Sequence, residues 1–419
     1  MTRMKILISG GGIGGNCLAF WLSKLGHDVT VVEWFPNLRA TGLQLDLRGH
    51  GIEVMKRMGL EQAFRARAAR EQGLKVVDSS SREWAHFPAN KSGKGLQNFT
   101  TEFEIMRGDL CQLFHDATKD RAKYIFGNSI EHFEDKDGSV NVLFKNGERH
   151  QFDLLVGADG QGSRTRKMMN GPNAADAFVP LSGRYISYFT IPRRMQEGED
   201  YSATMYFGTE NRILMTRRNS PHEIQAYLMC TTDSERFDNA RRAGGMEEKK
   251  AVAEIFRGAG WQAEEILNSM MNSEDFYCEK IGLVKRSAWY QGHVALVGDA
   301  AYCPSSMTGM GTTSAVVGAY VLAGEIGKHC GSEYNEDTLE MALKAYENKF
   351  RPFMDQVQEG VSDGGLIWKI WPTRPFGIAV LNSIFGVASF LKLNVLGELI
   401  LRENITDWEL PEYEEMRGK

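Results

Sequence analysis

The 419-residue sequence has no CxxC pair and no Cys/His group at zinc-ligand spacing. Its six cysteines, Cys17, Cys111, Cys230, Cys278, Cys303 and Cys330, stand far apart. That pattern excludes a redox dithiol and a zinc site, and separate thiols point to a reducing compartment. Basic residues form no stripe and the net charge is -5, so nucleic acid is not an expected partner. Internal repeats and low-complexity linkers are also missing. The opening "MTRMKILISG" lacks the basic, apolar, small-residue order of a secretory signal and enters a strand pattern at once, which points to the cytoplasm. The apolar stretch Phe376 to Leu391 is interrupted by Asn382 and Ser383, stopped by Lys392, and short of the ~20 residues a membrane span needs. It reads as a buried or domain-bridging helix, and membrane contact through it is disfavoured. The length suits two or three domains with a large core.

Among what is present, "MKILISGGGIGGNCLAFWLSKLGHDVTVVEW" reads as strand, glycine turn, helix and strand. The turn runs from Gly10 through Gly12, Ile13 and Gly14 to Gly15 and fits GxGxxG. Gly10 permits the tight turn, Gly12 lets a pyrophosphate approach the backbone, and Gly15 allows helix to pack on strand. Unpaired N–H groups and the dipole of the following helix favour an anion there. Glu33 closes the second strand about 20 residues on, placed to accept hydrogen bonds from an adenosine ribose. This motif does not by itself choose between NAD and FAD.

Two later stretches make the choice. "FDLLVGADGQGSRTR" places Asp159 after a strand, and "GDAAYCPSSMTGMG" places Asp299 after the buried run "HVALV", with a glycine turn at Gly309, Met310 and Gly311 opening a helix. These match the DG and GD motifs of flavoprotein hydroxylases, a match that implies cofactor-binding roles for Asp159 and Asp299. The chain resembles the class A, aromatic-hydroxylase family of FAD-dependent monooxygenases, especially its tetracycline-inactivating branch, over nearly its whole length. The resemblance implies that Asp299 holds the flavin ribitol. It also brings the N–H groups from Gly309 to Gly311 to the pyrophosphate and flavin pyrimidine edge, where a helix start can stabilise negative charge. It further assigns Arg107, in "EIMRGDLCQLF", to the ribitol and phosphate region, and Arg39 and Asp46, in "RATGLQLDL", to NADPH and the flavin respectively. The sequence departs from the family at Tyr302 in place of His, at Thr312 near a common Asn, and at Trp34 in place of Arg.

The expected fold is α/β: a Rossmann-like FAD-binding domain from 1–73, 102–171 and 285–370, an inserted antiparallel sheet domain from 74–101 and 172–284, and a C-terminal helical segment, 371–419. "GRYISYFTI", "YSATMYFG", "NRILMTRR" and "HEIQAYLMCTT" read as strands of a substrate sheet roofing the flavin. Alternation groups Met205 with Phe207 and Met215 with Arg217, offering Met205 and Met215 as apolar lining and Arg217 to steer a polar substituent. The resemblance implies that NADPH or NADH reduces FAD and that O2 forms a flavin C4a-hydroperoxide, which oxygenates an aromatic or polycyclic small molecule, secondary metabolites included. The cofactor carries this chemistry, so no protein catalytic residue is assigned. An epoxidase, oxidative cyclase or dehydrogenase on the same scaffold is the enzymatic alternative, and a flavin-bound interaction protein the non-enzymatic one. No second GxGxxG is present for a separate NADPH domain, and "WKIWPT" does not satisfy the WxWxIP motif of flavin halogenases. Monomer and homodimer both fit.

Overall fold

Ile6, Leu7 and Ile8 are apolar on both faces, and the strand Lys5–Ser9 accordingly runs through the middle of a six-stranded sheet. In the computed structural model, which describes residues 3–38, 42–89, 103–171, 174–331, 333–361, 372–392 and 405–417, the order is Tyr290–Gln291, Val294–Leu296, Leu154–Gly157, Lys5–Ser9, Asp28–Glu33 and Lys123–Phe126. All pairs are parallel except the first. Ile6, Ile8, Leu154, Val156 and Ala295 face helices Ile13–Lys24 and Gly311–Cys330. Leu7, Leu155 and Val294 face a three-stranded sheet, Ile130–Lys136, Ser139–Phe144 and Arg149–Phe152. Burial on both faces is the usual condition of a parallel sheet.

A second sheet has seven strands in the order Tyr277–Val284, Phe178–Pro192, Glu223–Thr231, Ile213–Ser220, Ala203–Phe207, Gly73–Val77 and Glu83–Pro88. It is antiparallel apart from the Ala203–Phe207 and Gly73–Val77 pair, where two distant chain segments meet. Helices Glu235–Ala243, Gly245–Phe256 and Ala263–Asn272 cover one face of it. The opposite face presents Met205, Phe207, Met215, Tyr227 and Ile281, and part of it is covered by the helix Pro375–Phe390 through Ile378, Phe385 and Ala388. That helix is covered on one side by this sheet; Phe376, Val380, Ile384, Val387 and Phe390 on its other side are exposed. No helix among the described residues is long and apolar enough to cross a membrane.

Small residues let the helices close on one another. The helix Gly311–Cys330 packs against Glu336–Gln358 and is held at its far end by the C-terminal residues, where Tyr413 donates to Glu325 at 2.6 Å and Arg57 donates to the Pro411 carbonyl at 2.7 Å. Tyr302, the family's usual His position, is fully buried between Trp289, Phe350 and Tyr346 and fills the space above Gly318. A methyl group on Gly318 would overlap the Tyr302 hydroxyl and meet Phe350 at 2.8 Å. Gly318→Ala is therefore expected to destabilise by about 1–3 kcal/mol through overpacking. That loss outweighs the gain of about 1 kcal/mol that Ala ordinarily brings to a helix interior. The measurement is urea unfolding: the midpoint should fall with the slope unchanged.

Candidate active site

Parallel register sets Ser9, Val32, Gly157 and Leu296 side by side, so the turns that follow them emerge at one carboxyl edge. At Gly10 (φ +110°) a Cβ would lie 2.6 Å from the Ala158 carbonyl oxygen, and at Gly15 it would overlap the Gly10 carbonyl oxygen. Gly14 packs against Ala315 of the helix Gly311–Cys330. Gly12 differs: among the described residues, the group within reach of a Cβ there is the Arg107 guanidinium, at 3.6 Å. The helix Ile13–Lys24 begins at Ile13 with Gly12 as its N-cap and no side-chain cap, leaving its first N–H groups for an anion. Glu33 receives the Gly11 N–H at 2.7 Å and the Phe35 N–H at 3.0 Å, fixing the carboxylate beside the turn. Asn16, which carried no signal beyond following the glycines, locks the turn by donating to Gly11 (2.5 Å) and Gly12 (3.0 Å) while accepting from Tyr124 (2.8 Å).

A two-stranded ribbon, Gln44–Asp46 with Glu104–Met106, connects this turn to the second sheet. Arg107 follows the ribbon, donates its backbone N–H to Leu43 at 2.8 Å, and lays its side chain along Gly42 toward Gly12. Its Nη1 is buried with no hydrogen-bond partner. An orphaned guanidinium donor over an open glycine of a phosphate-type turn fits a pyrophosphate. Asp46 pairs with Arg48 through one oxygen, and its Oδ1 is likewise buried without a partner. Arg48 donates its N–H to the Thr313 hydroxyl at 2.9 Å and accepts from it at 3.3 Å, docking the ribbon on the first turn of Gly311–Cys330. Arg39 lies outside the described residues.

The two motif acids differ in what their oxygens do. Asp159 accepts from Ser163 and from the Thr165 N–H and hydroxyl, both at 3.0 Å, so both oxygens serve to start the helix Arg164–Asn170. Its place is to shape the loop, and Arg166, fully buried, ties that loop to Asp176 and to the Ala300 carbonyl. Asp299 follows Gly298 (φ +65°) and keeps a partial opening to solvent; a Cβ on Gly311 would lie 4.0 Å from its Oδ1. Burial pushes its carboxyl up to about 6, against the smaller downward pull of the Cys303 thiol and the Arg107 and Arg166 charges. Gly309 takes φ +66° and donates its N–H to the Ser306 carbonyl at 3.4 Å, and Met310 donates its N–H to the Thr308 hydroxyl at 3.1 Å. The helix opens at Gly311 with no capping side chain, so of the three donors expected from Gly309 to Gly311 the Gly311 N–H is the one left open, with the N–H groups of the first helical turn behind it. The Met310 side chain is buried in the core, so only its backbone faces the turn.

Met205 and Met215 are cross-strand partners on the face turned away from the outer helices. Arg217 shares that face, but its guanidinium is taken up by Glu71 (3.1 Å) and Glu104, which Gln44 also bridges. The expectation of a free Arg217 charge steering a substrate is therefore not met. Two carboxylates arriving from distant segments have no signature in the local alternation that singled out Arg217. Gln225 completes the seam by donating to the Gly42 carbonyl at 2.7 Å.

The fold and this edge together define a dinucleotide-type flavoprotein with an inserted sheet domain. The chain belongs to the family described as FAD binding domain, whose model matches residues 3–361. It is similar to an FAD-dependent monooxygenase, asL4, of Sarocladium schorii, 48% identical with 99% of each chain covered. A flavin-dependent monooxygenase, eupH, of a Phoma species is 40% identical with 93% of each chain covered. Among solved structures, tetracycline destructase Tet(51) superposes with TM-score 0.76 at 27% identity, covering 99% of this chain and 100% of that one. The protein is an FAD-dependent monooxygenase.

Asp299 gives this site a pH signature. Its folded value lies above the ordinary Asp value of about 4, so between about pH 4 and 6 the native apoprotein holds a proton that the unfolded chain has released. The stability of the wild-type apoprotein should therefore fall, relative to an Asp299→Asn variant, by about 1–3 kcal/mol as pH rises through that window. Urea unfolding of both proteins across this range checks it.

Proposed function

We propose that the protein uses NADPH or NADH and O2 to hydroxylate an aromatic or polycyclic small molecule lying between the seven-stranded sheet and the flavin. The observation that carries this reading is the ribbon Gln44–Asp46/Glu104–Met106. Arg107 and the Arg48–Thr313 contact lie on its flavin side, and Arg217 and Gln225 join it to the substrate sheet. Bound FAD supplies reduction by the nicotinamide and oxygen activation.

The protein's own residues position and enclose. Gly12 and Arg107 receive the pyrophosphate, Glu33 the adenosine ribose, and Asp299 the ribitol. The open N–H groups at the start of the helix Gly311–Cys330 favour negative charge at the pyrimidine edge. Asp46 offers its unpartnered Oδ1 to the flavin, and Arg39 receives the coenzyme. Met205, Met215 and Tyr227 offer an apolar, adaptable wall that excludes water from the reacting atoms. Arg217, on the same face as this wall, holds Glu71 and Glu104 so that ribbon and sheet keep their spacing.

Three measurements test the reading. Anaerobic NADPH should bleach the bound flavin band, faster in the presence of one member of a panel of polycyclic phenols and alkaloids; a band that stays oxidised with every compound contradicts it. Asp299→Ala should weaken FAD binding at least about tenfold, the scale of one lost charge-assisted hydrogen bond, measured by fluorescence titration of the apoprotein. Arg39→Ala should raise the NADPH concentration needed for half-maximal reduction while FAD content stays full.

A further inference from the structure

The helix Pro375–Phe390 is apolar on both sides, a composition normal for a helix covered all round. One side is covered. Phe385 stacks on Phe207 with ring centroids 5.6 Å apart, Ser389 exchanges two hydrogen bonds with the His86 backbone (3.1 and 2.7 Å), and Gly386 sits against the Trp84 carbonyl. The helix is therefore seated, and its open side is not a consequence of detachment. That open side carries Phe376 (82% exposed), Val380, Ile384, Val387, Phe390 (85% exposed) and Leu391, spaced by three or four residues as a single stripe. A stripe of this size on a soluble surface marks a contact with something apolar.

Charge decides what that something is. The stripe ends in exposed cations, Arg374 before the helix and Lys392 after it, and the sequence from Gly364 to Gly397 contains Lys369, Arg374 and Lys392 but no Asp or Glu. A second copy of the chain packing stripe on stripe would set cation against cation at both ends, which disfavours self-association. An anionic lipid surface answers both features, since it accepts the apolar face at the acyl boundary and places phosphate and carboxylate headgroups beside the flanking cations. Sixteen residues span about 24 Å, less than the ~30 Å of a bilayer core, so the helix lies on the surface and does not cross it. We infer that the open face of Pro375–Phe390 is a docking surface for anionic phospholipid bilayers. This proposal departs from the sequence-based expectation of a buried or bridging helix with membrane contact disfavoured.

The test is flotation of the full-length holoprotein with phosphatidylcholine vesicles and with vesicles containing 30% phosphatidylserine. Binding should be at least tenfold tighter to the phosphatidylserine vesicles and weaken with added salt. The double variant I384E/V387E should lose at least tenfold in vesicle affinity while FAD content and thermal midpoint stay at the wild-type values, which separates lost docking from lost folding. Absence of binding to either vesicle, or equal binding by the variant, overturns the proposal. A wild-type dimer that I384E/V387E converts to monomer, without vesicle binding, also overturns it and assigns the stripe to a second copy.

Discussion

Parallel pairing of Lys5–Ser9 with Leu154–Gly157, and of Leu154–Gly157 with Val294–Leu296, is the constraint on which the site depends. Three chain segments separated by well over a hundred residues end their strands at one level, and each then turns on a glycine: Gly10, Gly160 and Gly298, all at positive φ. The ligand crevice of an open α/β sheet lies outside such an edge. Close approach is enforced between two of the turns, since any side chain at Gly10 would strike the Ala158 carbonyl. The sheet register thus determines where phosphate-binding N–H groups can be, before any individual contact is considered.

Around that edge the electrostatics have one sign of opening. Two helices, Ile13–Lys24 and Gly311–Cys330, begin there without capping side chains, and Arg107 brings a buried, unpartnered donor between them. Buried donors left unpaired cost stability in the free protein, and that cost is recovered when an anionic cofactor takes them up. The acids are placed with equal care: Glu33 is held by Gly11 and Phe35, Asp159 is spent on its own loop, and Asp299 is the one whose burial opposes ionisation. On the second sheet Met205, Phe207, Met215 and Ile281 form an apolar face, and the charge of Arg217 beside them is engaged by Glu71 and Glu104.

Much of this was legible from residues that act locally. Glycines at 10, 12 and 15 between two β-rich runs specify a turn whose geometry only glycine allows, and the helix Glu336–Gln358 declares itself by its apolar period. The strands of the second sheet were equally plain from alternation. What stayed hidden depends on distant partners. Asp159 and Asp299 look alike as motif acids, yet one is saturated by Ser163 and Thr165 and the other is not. Arg217 looked available because Glu71 and Glu104 reach it from elsewhere in the chain. The small sheet from Ile130 to Phe152 and the helix Glu235–Ala243 went unread, being polar on the side that meets solvent. Composition likewise showed that Phe376 to Leu391 is apolar, but not that one of its faces is exposed.

The central claim is that uncapped helix starts and Arg107 form a frame that favours negative charge on the bound cofactor. The midpoint potential of protein-bound FAD, measured by equilibration with a reference dye, tests it most directly, because reduction of the flavin adds the negative charge that, on the proposed reading, the open helix start at Gly311 receives. The account predicts a potential above that of free FAD, falling toward the free value when Arg107 is replaced by Met. A bound potential at or below that of free FAD would contradict it.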